Sequence, residues 1–336
     1  MKIVMPEHFT LTTGDADTSP ITRLGDTIIV DHASKEELKA ALQDAEVLLV
    51  NKTIVDEDLL KDAKKLEYVG VNATGYNVVD LDYCNKHGIT VTNVPGYSTD
   101  AVAQLTFAYL LDFYSRVGDY NSFVQEGGWT KSGTFSPLVF PTEELDGKTM
   151  GLIGYGQIGK KVAKIATAFG MNVLAYSRSA LKALEAERAG VTRQEGFLNR
   201  ADKNVTFVTL DTLLKHSDVV SIHCPLNAES EHLCNKDFFA AMKQGAFFIN
   251  TARGPIVDEP ALRDALLSGH LAGAGLDVVD TEPMPADCPL QGIPNCKITP
   301  HSAWTPKETR RRLIQIVADN LQAYMEGHPV NVVNNP

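Results

Sequence analysis

Three short segments set a charged or ionisable side chain just past an apolar run. Phe247-Phe248-Ile249-Asn250-Thr251-Ala252-Arg253-Gly254 offers a guanidinium, and Leu276-Asp277-Val278-Val279-Asp280-Thr281-Glu282-Pro283 offers a carboxylate. Ile298-Thr299-Pro300-His301-Ser302-Ala303-Trp304 offers an imidazole. Groups of these kinds bind anions and move protons. A fourth segment, Gly151-Leu152-Ile153-Gly154-Tyr155-Gly156-Gln157-Ile158-Gly159, spaces its glycines as G-x-G-x-x-G between an apolar run and the start of a helical pattern. Gly-rich turns also serve plain loops, but here the strand–loop–helix–strand context is complete. In that context Gly154 allows the tight turn, Gly156 lets the backbone approach a pyrophosphate, and Gly159 lets the helix pack on the strand. Unpaired N–H groups and the positive helix end then hold the phosphates. Singly, Arg253 reads equally well as a surface loop charge, Glu282 as a turn residue and His301 as a satisfied core histidine. Together, at strand ends behind a dinucleotide loop, they read as a site, because ligands of open α/β sheets bind beyond the carboxyl ends of the strands. That is where a nicotinamide ring would lie.

The strand after the loop bears on the choice of dinucleotide. NAD-binding units usually end it with Asp or Glu, which accepts hydrogen bonds from the ribose hydroxyls. Here Asn172-Val173-Leu174-Ala175-Tyr176 is followed by Ser177-Arg178-Ser179. No carboxylate repels a 2′-phosphate, and Arg178 offers it a planar donor fork. NADP(H) is therefore the expected cofactor and NAD(H) the alternative, in which Arg178 is a solvated loop residue. His223-Cys224 and His232…Cys234 bring metal-ligating residue types together, but with neither C-x-x-C nor H-x-x-x-H spacing, so no metal is expected.

Two series of strands and helices position these residues. In the first third, Ile28–Val30, Val47–Val50, Tyr68–Val71 and Ile89–Thr92 read as strands. Helices are expected from Ser34 to about Asp44, from Val55 to Ala63 and from Asp80 to Lys86. Ser98 to about Val124 reads as one long helix, followed by a polar, Gly-containing stretch to Pro141. The second series places strands near Met150–Ile153, Val173–Tyr176, Val219–His223, Ala246–Ile249, Gly275–Val278 and Lys297–Thr299. A final amphipathic helix, about Lys307–Glu326, outlasts the second series and returns to the first. Near-continuous apolar strands separated by helices mean parallel sheets covered on both faces. The expected organisation is thus α/β, with residues 1–100 and 303–336 forming a discontinuous domain and 101–302 the dinucleotide-binding domain.

The whole chain is consistent with this. Its 336 residues suit two domains. A net charge of −11 disfavours nucleic acid and anionic membranes as partners. No apolar run is long enough to span a bilayer. Pro6 and Glu7 interrupt the N-terminus too early for a signal peptide. The 5 cysteines, an odd number without a C-x-x-C pair, argue against a disulfide framework. A cytoplasmic protein is expected.

The motifs N-T-A-R-G, G-L-D-V…E-P and T-P-H, in this order behind the Gly loop, resemble the D-isomer-specific 2-hydroxyacid dehydrogenases along essentially the whole chain. Asn72-Ala73-Thr74-Gly75-Tyr76-Asn77-Val78-Val79-Asp80 and His301-Ser302-Ala303-Trp304 look most like the glycerate dehydrogenase (hydroxypyruvate or glyoxylate reductase) branch. The resemblance implies two doubly wound parallel-sheet domains, a Rossmann-type cofactor domain and a smaller flavodoxin-like substrate domain, with the active site between them. It implies that Arg253 binds the substrate carboxylate, that His301 is the acid–base residue, and that Glu282 hydrogen-bonds His301 and fixes its tautomer. It further implies that Tyr155, Gln157 and Ile158 of the Gly loop, with Ser177, Arg178, Ser179, Cys224, Pro225, Thr251 and Asp277, line the cofactor site. Thr74 and Gly75 would hold the carboxylate through backbone N–H groups. Lys52 would select a distal group or, equally, be a solvated loop lysine, and Trp129 or Trp304 would wall the pocket. A small 2-oxo or 2-hydroxy acid is the expected substrate, and a homodimer is expected through an arm at about 101–145. The alternatives are another D-2-hydroxyacid or phosphite dehydrogenase of this fold, or a dinucleotide-sensing corepressor-like protein.

Overall fold

The structure is a computed structural model that describes residues 1–177, 197–202 and 204–336, with the side chains of 197–202 left aside. Arg178 and Ser179 lie outside the described residues. The chain divides into two compact units, Met1–Ser98 with Trp304–Pro336, and Thr99–Ala303.

The first unit contains β1 (Lys2–Met5), β2 (Asp26–Ile29), β3 (Val47–Val50), β4 (Tyr68–Val71) and β5 (Thr90–Thr92). They form a parallel sheet in the order β2-β1-β3-β4-β5. The period-2 alternation of strands divides the apolar residues between two faces. Val4, Leu48, Val50, Val69 and Val71 pack with Leu38 and Leu42 of the helix Lys35–Leu42. Ile3, Met5, Val47, Leu49 and Tyr68 pack with Leu313, Ile314, Val317 and Leu321 of the helix Lys307–Met325. The Lys35–Leu42 helix starts where the sequence says, through a capping box between Ser34 and Glu37. Two expectations need correction. β1 has no counterpart in the sequence reading, although it lies between β2 and β3. The helix expected over Val55–Ala63 is the single turn Glu57–Leu60, capped by Asp56, because Val55 instead pairs with Val79.

The second unit contains β6 (Thr149–Ile153), β7 (Asn172–Tyr176), β8 (Phe197–Asp202), β9 (Val205–Val208), β10 (Val219–Ile222), β11 (Ala246–Asn250), β12 (Leu271–Leu276) and β13 (Cys296–Ile298). Among the described residues these form one sheet in the order β13-β12-β11-β10-β6-β7-β9-β8. It is parallel except where β8 runs against β9. The order reverses between β6 and β10, the switch point at which doubly wound sheets bind ligands. One face packs on the helices Thr99–Ser115 and Gln157–Ala168. The other packs on Leu210–His216, Lys236–Ala241 and Glu259–Leu267.

The helix expected from Ser98 to Val124 is two helices, Thr99–Ser115 and Val117–Gln125. Arg116 breaks it in a left-handed conformation (φ 52) with its guanidinium paired to Asp119. The strand expected at Gly275–Val278 is Leu271–Leu276, so Asp277 follows the strand instead of lying within it. β8 and β9 were also not anticipated. Among the described residues no helix is long and apolar enough to cross a membrane.

Candidate active site

Because β6, β10, β11, β12 and β13 are mutually parallel, their carboxyl ends share one edge of the sheet. The Gly loop follows β6. Gly154 (φ +98) adopts a conformation that suits glycine, and a Cβ there would come within 2.5 Å of the Cys224 backbone nitrogen. A Cβ on Gly159 would strike the Gly154 carbonyl, whereas nothing lies within 4 Å of that position on Gly156. Gly156 is the N-cap of the helix Gln157–Ala168, and no side chain caps that end. Open space at the second glycine, before a helix N-terminus with no side-chain cap, fits a pyrophosphate. Tyr155 packs edge-on against Phe207 at 5.2 Å, Ile158 packs against the core, and Gln157 Oε1 accepts from Thr99 Oγ1 at 3.5 Å. Ser177 follows β7 directly.

Beyond β10, His223 Nε2 and Ser221 Oγ share a hydrogen bond of 2.9 Å, and burial pushes the His223 imidazole down to about 3. Cys224 packs against the core cluster that contains the fully buried Cys234, and the Pro225 carbonyl accepts from Ser230 at 2.8 Å. Among the described residues no group of three or more His, Cys, Asp or Glu side chains is arranged to hold a metal ion.

Beyond β11, the buried Asn250 shapes the turn that presents Arg253. Its Oδ1 accepts from the Ala252 N–H at 3.0 Å and its Nδ2 donates to the Arg253 carbonyl at 2.9 Å. Thr251 shares a 3.4 Å hydroxyl contact with Thr106. The guanidinium is half-buried, with Nη1 donating to the Ala252 carbonyl at 2.6 Å. A Cβ on Gly254 would run into the Val279 carbonyl, so glycine is what lets the Arg253 turn lie against the loop past β12.

That loop carries Asp277 and Glu282. The buried Asp277 carboxylate is a clamp on the chain past β13. Oδ1 accepts from Thr299 Oγ1 at 2.5 Å and from the Ser302 N–H at 2.8 Å, and Oδ2 accepts from the Ala303 N–H at 2.9 Å. Tyr109, whose phenol burial pushes up to about 12, donates to the Leu276 carbonyl at 2.7 Å and shares a 2.5 Å contact with Thr299. Between these clamped residues stands His301, with left-handed backbone (φ 50) and its N–H shared between the carbonyls of Asp277 and Thr299. Such a conformation costs a β-carbon residue about 1 kcal/mol or more and persists only where the surroundings enforce it. Glu282 Oε1 accepts from the Val279 N–H at 3.3 Å, and Oε2 lies 2.7 Å from His301 Nδ1. The Glu282 carboxylate is an acceptor, which assigns a proton to Nδ1 and leaves Nε2 outside this bond.

The structure thus joins Arg253, Glu282 and His301 through one set of contacts: the Arg253 turn on Val279, Val279 on Glu282, and Glu282 on His301. Asn250, Gly254, Tyr109 and Thr299 belong to it and were missed. Asn250 and Gly254 stand inside the quoted motif, which gave them no role. Thr74 and Gly75 lie past β4 in the first unit, where Thr74 Oγ1 donates to the Val94 carbonyl at 2.8 Å. Lys52 lies past β3, in a turn whose N–H groups at Asn51, Lys52 and Thr53 are gathered by the Glu7 carboxylate at 2.7–3.1 Å. Trp129 is in the short helix Gly128–Ser132, and Trp304 packs in the core of the first unit.

The NAD binding domain of the D-isomer specific 2-hydroxyacid dehydrogenases matches residues 107–303, well over half the chain. A hydroxypyruvate reductase of Blautia hydrogenotrophica is 44 % identical over 99 % of this chain and 100 % of its own. A glyoxylate reductase of Thermococcus litoralis is 40 % identical over 87 % of this chain and 83 % of its own. The D-lactate dehydrogenase of Aquifex aeolicus, solved with NAD and lactic acid, aligns with a TM-score of 0.79 at 28 % identity, covering 100 % of both chains. The sheet order, the glycine loop and the segments around Arg253, Glu282 and His301 have the same explanation: the chain belongs to the D-isomer specific 2-hydroxyacid dehydrogenase family.

Proposed function

We propose that the protein reduces a small 2-oxo acid, hydroxypyruvate or glyoxylate, to D-glycerate or glycolate. The observation that supports this most directly is the 2.7 Å bond between Glu282 and His301, at the same edge of the sheet as the carboxyl end of β6, whose loop fits a dinucleotide. A bound nicotinamide dinucleotide supplies the hydride that reaches C2 of the substrate. Arg253 holds the substrate carboxylate through paired N–H donors and so fixes which face of the carbonyl is presented. His301 Nε2 gives its proton to the carbonyl oxygen, and in the reverse direction takes it from the hydroxyl. Glu282 keeps the ring oriented and stabilises the imidazolium. Residues 154–159 hold the pyrophosphate, with Cys224, Pro225, Thr251, Asp277 and Ser177 along the same edge, while Arg178 and Ser179 favour a 2′-phosphate and hence NADPH. Lys52, Thr74 and Gly75 are proposed substrate contacts.

The test follows oxidation of NADPH and NADH with hydroxypyruvate, glyoxylate, pyruvate and 2-oxoisocaproate, and reduction of NADP⁺ and NAD⁺ with phosphite. Turnover is expected with the first two acids, faster with NADPH, and R178A should erase that preference. Absence of turnover with every 2-oxo acid would overturn the reading. A cytoplasmic location is supported by the free state of Cys84, Cys224, Cys234, Cys288 and Cys296. Exposed Val117, Phe135 and Leu138 on the arm support a homodimer.

A further inference from the structure

Glu259 opens the helix Glu259–Leu267, directly after its N-cap Asp258. A glutamate in the first turn ordinarily faces water, with the positive helix end as its only attraction. Here the residue is only 8 % exposed. Carboxylates are buried to that degree only when partners replace the lost water. Both partners come from the chain past β12. Oε1 accepts from the Asp280 N–H at 2.8 Å, and Oε2 takes the Cys288 thiol at 3.6 Å. Burial raises the pKa of that thiol, which keeps it a donor.

The Asp280 contact lies two residues before Glu282. The contacts that hold the loop from Asp277 to Glu282 include the Asp277 N–H donating to the Asn250 carbonyl, the His301 N–H donating to the Asp277 carbonyl, the Asp277 carboxylate on Thr299, Ser302 and Ala303, the Gly254 turn on Val279, and Glu259 on Asp280. Of these, the Glu259 contact comes from a side chain outside the Arg253, Asp277 and His301 segments. We propose that Glu259 is a positioning residue for the proton transfer that accompanies reduction, fixing the Asp280 backbone so that Glu282 meets His301 Nδ1. The inference rests on the reading of Glu282 and His301 as the acid–base pair. A helix-start role alone would affect stability and leave turnover by the folded enzyme unchanged.

The experiment uses the full-length protein with cofactor and hydroxypyruvate. Glu259→Met preserves volume and removes both acceptors; Glu259→Gln keeps an oxygen for the Asp280 N–H. Misplacing the loop by a fraction of an ångström should lower kcat roughly 10- to 100-fold in E259M, with cofactor Kd and substrate KM within about twofold of wild type. E259Q should recover to within about threefold of wild type, since one hydrogen bond of ordinary strength is restored. Should E259M fail to fold, Glu259→Asp, which draws the carboxylate back by one methylene, should show the same fall in kcat. Because Glu259 acts through Glu282, adding E259M to E282Q should slow that variant by no more than about twofold. Wild-type kcat in folded E259M or in E259D overturns the inference, and so does a loss that multiplies in the double variant while E282Q alone is slow. Wild-type turnover by E282Q overturns the acid–base reading itself, and this inference with it.

Discussion

In the proposed reaction His301 meets two separable demands, an imidazole to carry the proton and a left-handed backbone to aim it. Asparagine tolerates that backbone better than alanine does. His301→Asn and His301→Ala should therefore both lose roughly 10²- to 10⁴-fold in kcat/KM, while thermal melting finds H301N the closer of the two to wild type. Arg253→Ala should fall comparably in kcat/KM with little change in NADPH affinity by fluorescence titration; retained turnover in either position would remove it from the mechanism. That the Arg253, Glu282 and His301 segments meet was legible only from the set, three segments with an ionisable residue past an apolar run, all behind the Gly loop; the structure brings the three together. Tyr109 was not: its hydroxyl meets Leu276 and Thr299, which are 167 and 190 positions away along the chain. No local pattern encodes such a meeting. Gly254 was legible as a glycine but not as the gap into which the Val279 carbonyl fits.

At the scale of elements, capping chemistry read well and strand chemistry read well only where side chains are large. Ser34 with Glu37, and Asp80 with Gly88, mark their helices because the capping residues are themselves polar or glycine. β12 was misplaced because its sequence, LAGAGL, lacks the bulk that signals a strand. The reason lies across the core: a Cβ on Gly275 would come within 2.6 Å of the Tyr109 ring, and one on Gly273 within 3.0 Å of Phe113. The long helix was overextended because nothing about Arg116 announces a left-handed turn. One tie between elements gives a pH signature. The Arg310 guanidinium, on the helix Lys307–Met325, grips Asp15 at 2.6 Å and holds its carboxyl well below the usual carboxylate range. The folded protein therefore binds that proton more weakly than the unfolded chain does. The pair stabilises above the unfolded value of about 4, and the contribution is lost as pH falls towards the lower folded one. Asp15→Asn should melt below wild type at pH 7, and the gap should close in melts taken below about pH 4; a gap independent of pH would refute it.

For the whole molecule, the α/β class and two-series organisation were legible because a buried parallel strand needs an uninterrupted apolar run. Self-association is predicted at this scale. Phe135 is 95 % exposed and Leu138 91 %, more apolar surface than a segment of monomer needs to show. Light scattering after size exclusion should find a dimer, and F135S/L138S should shift it towards monomer at low concentration without altering the melting of the subunit greatly.

The first unit is split, and its last helix is made last. On the ribosome, β1 to β5 emerge early, but Leu313, Ile314, Val317 and Leu321, which cover Ile3, Met5, Val47, Leu49 and Tyr68, follow only after residues 99–303 have been synthesised. At ordinary elongation rates that interval is roughly ten to forty seconds. On that face the newborn N-terminal sheet then has Leu11, Ile21, Val94 and Tyr97 but not the last helix, so it shows apolar surface of the kind that nascent-chain chaperones shield, while residues 99–303 form a contiguous unit.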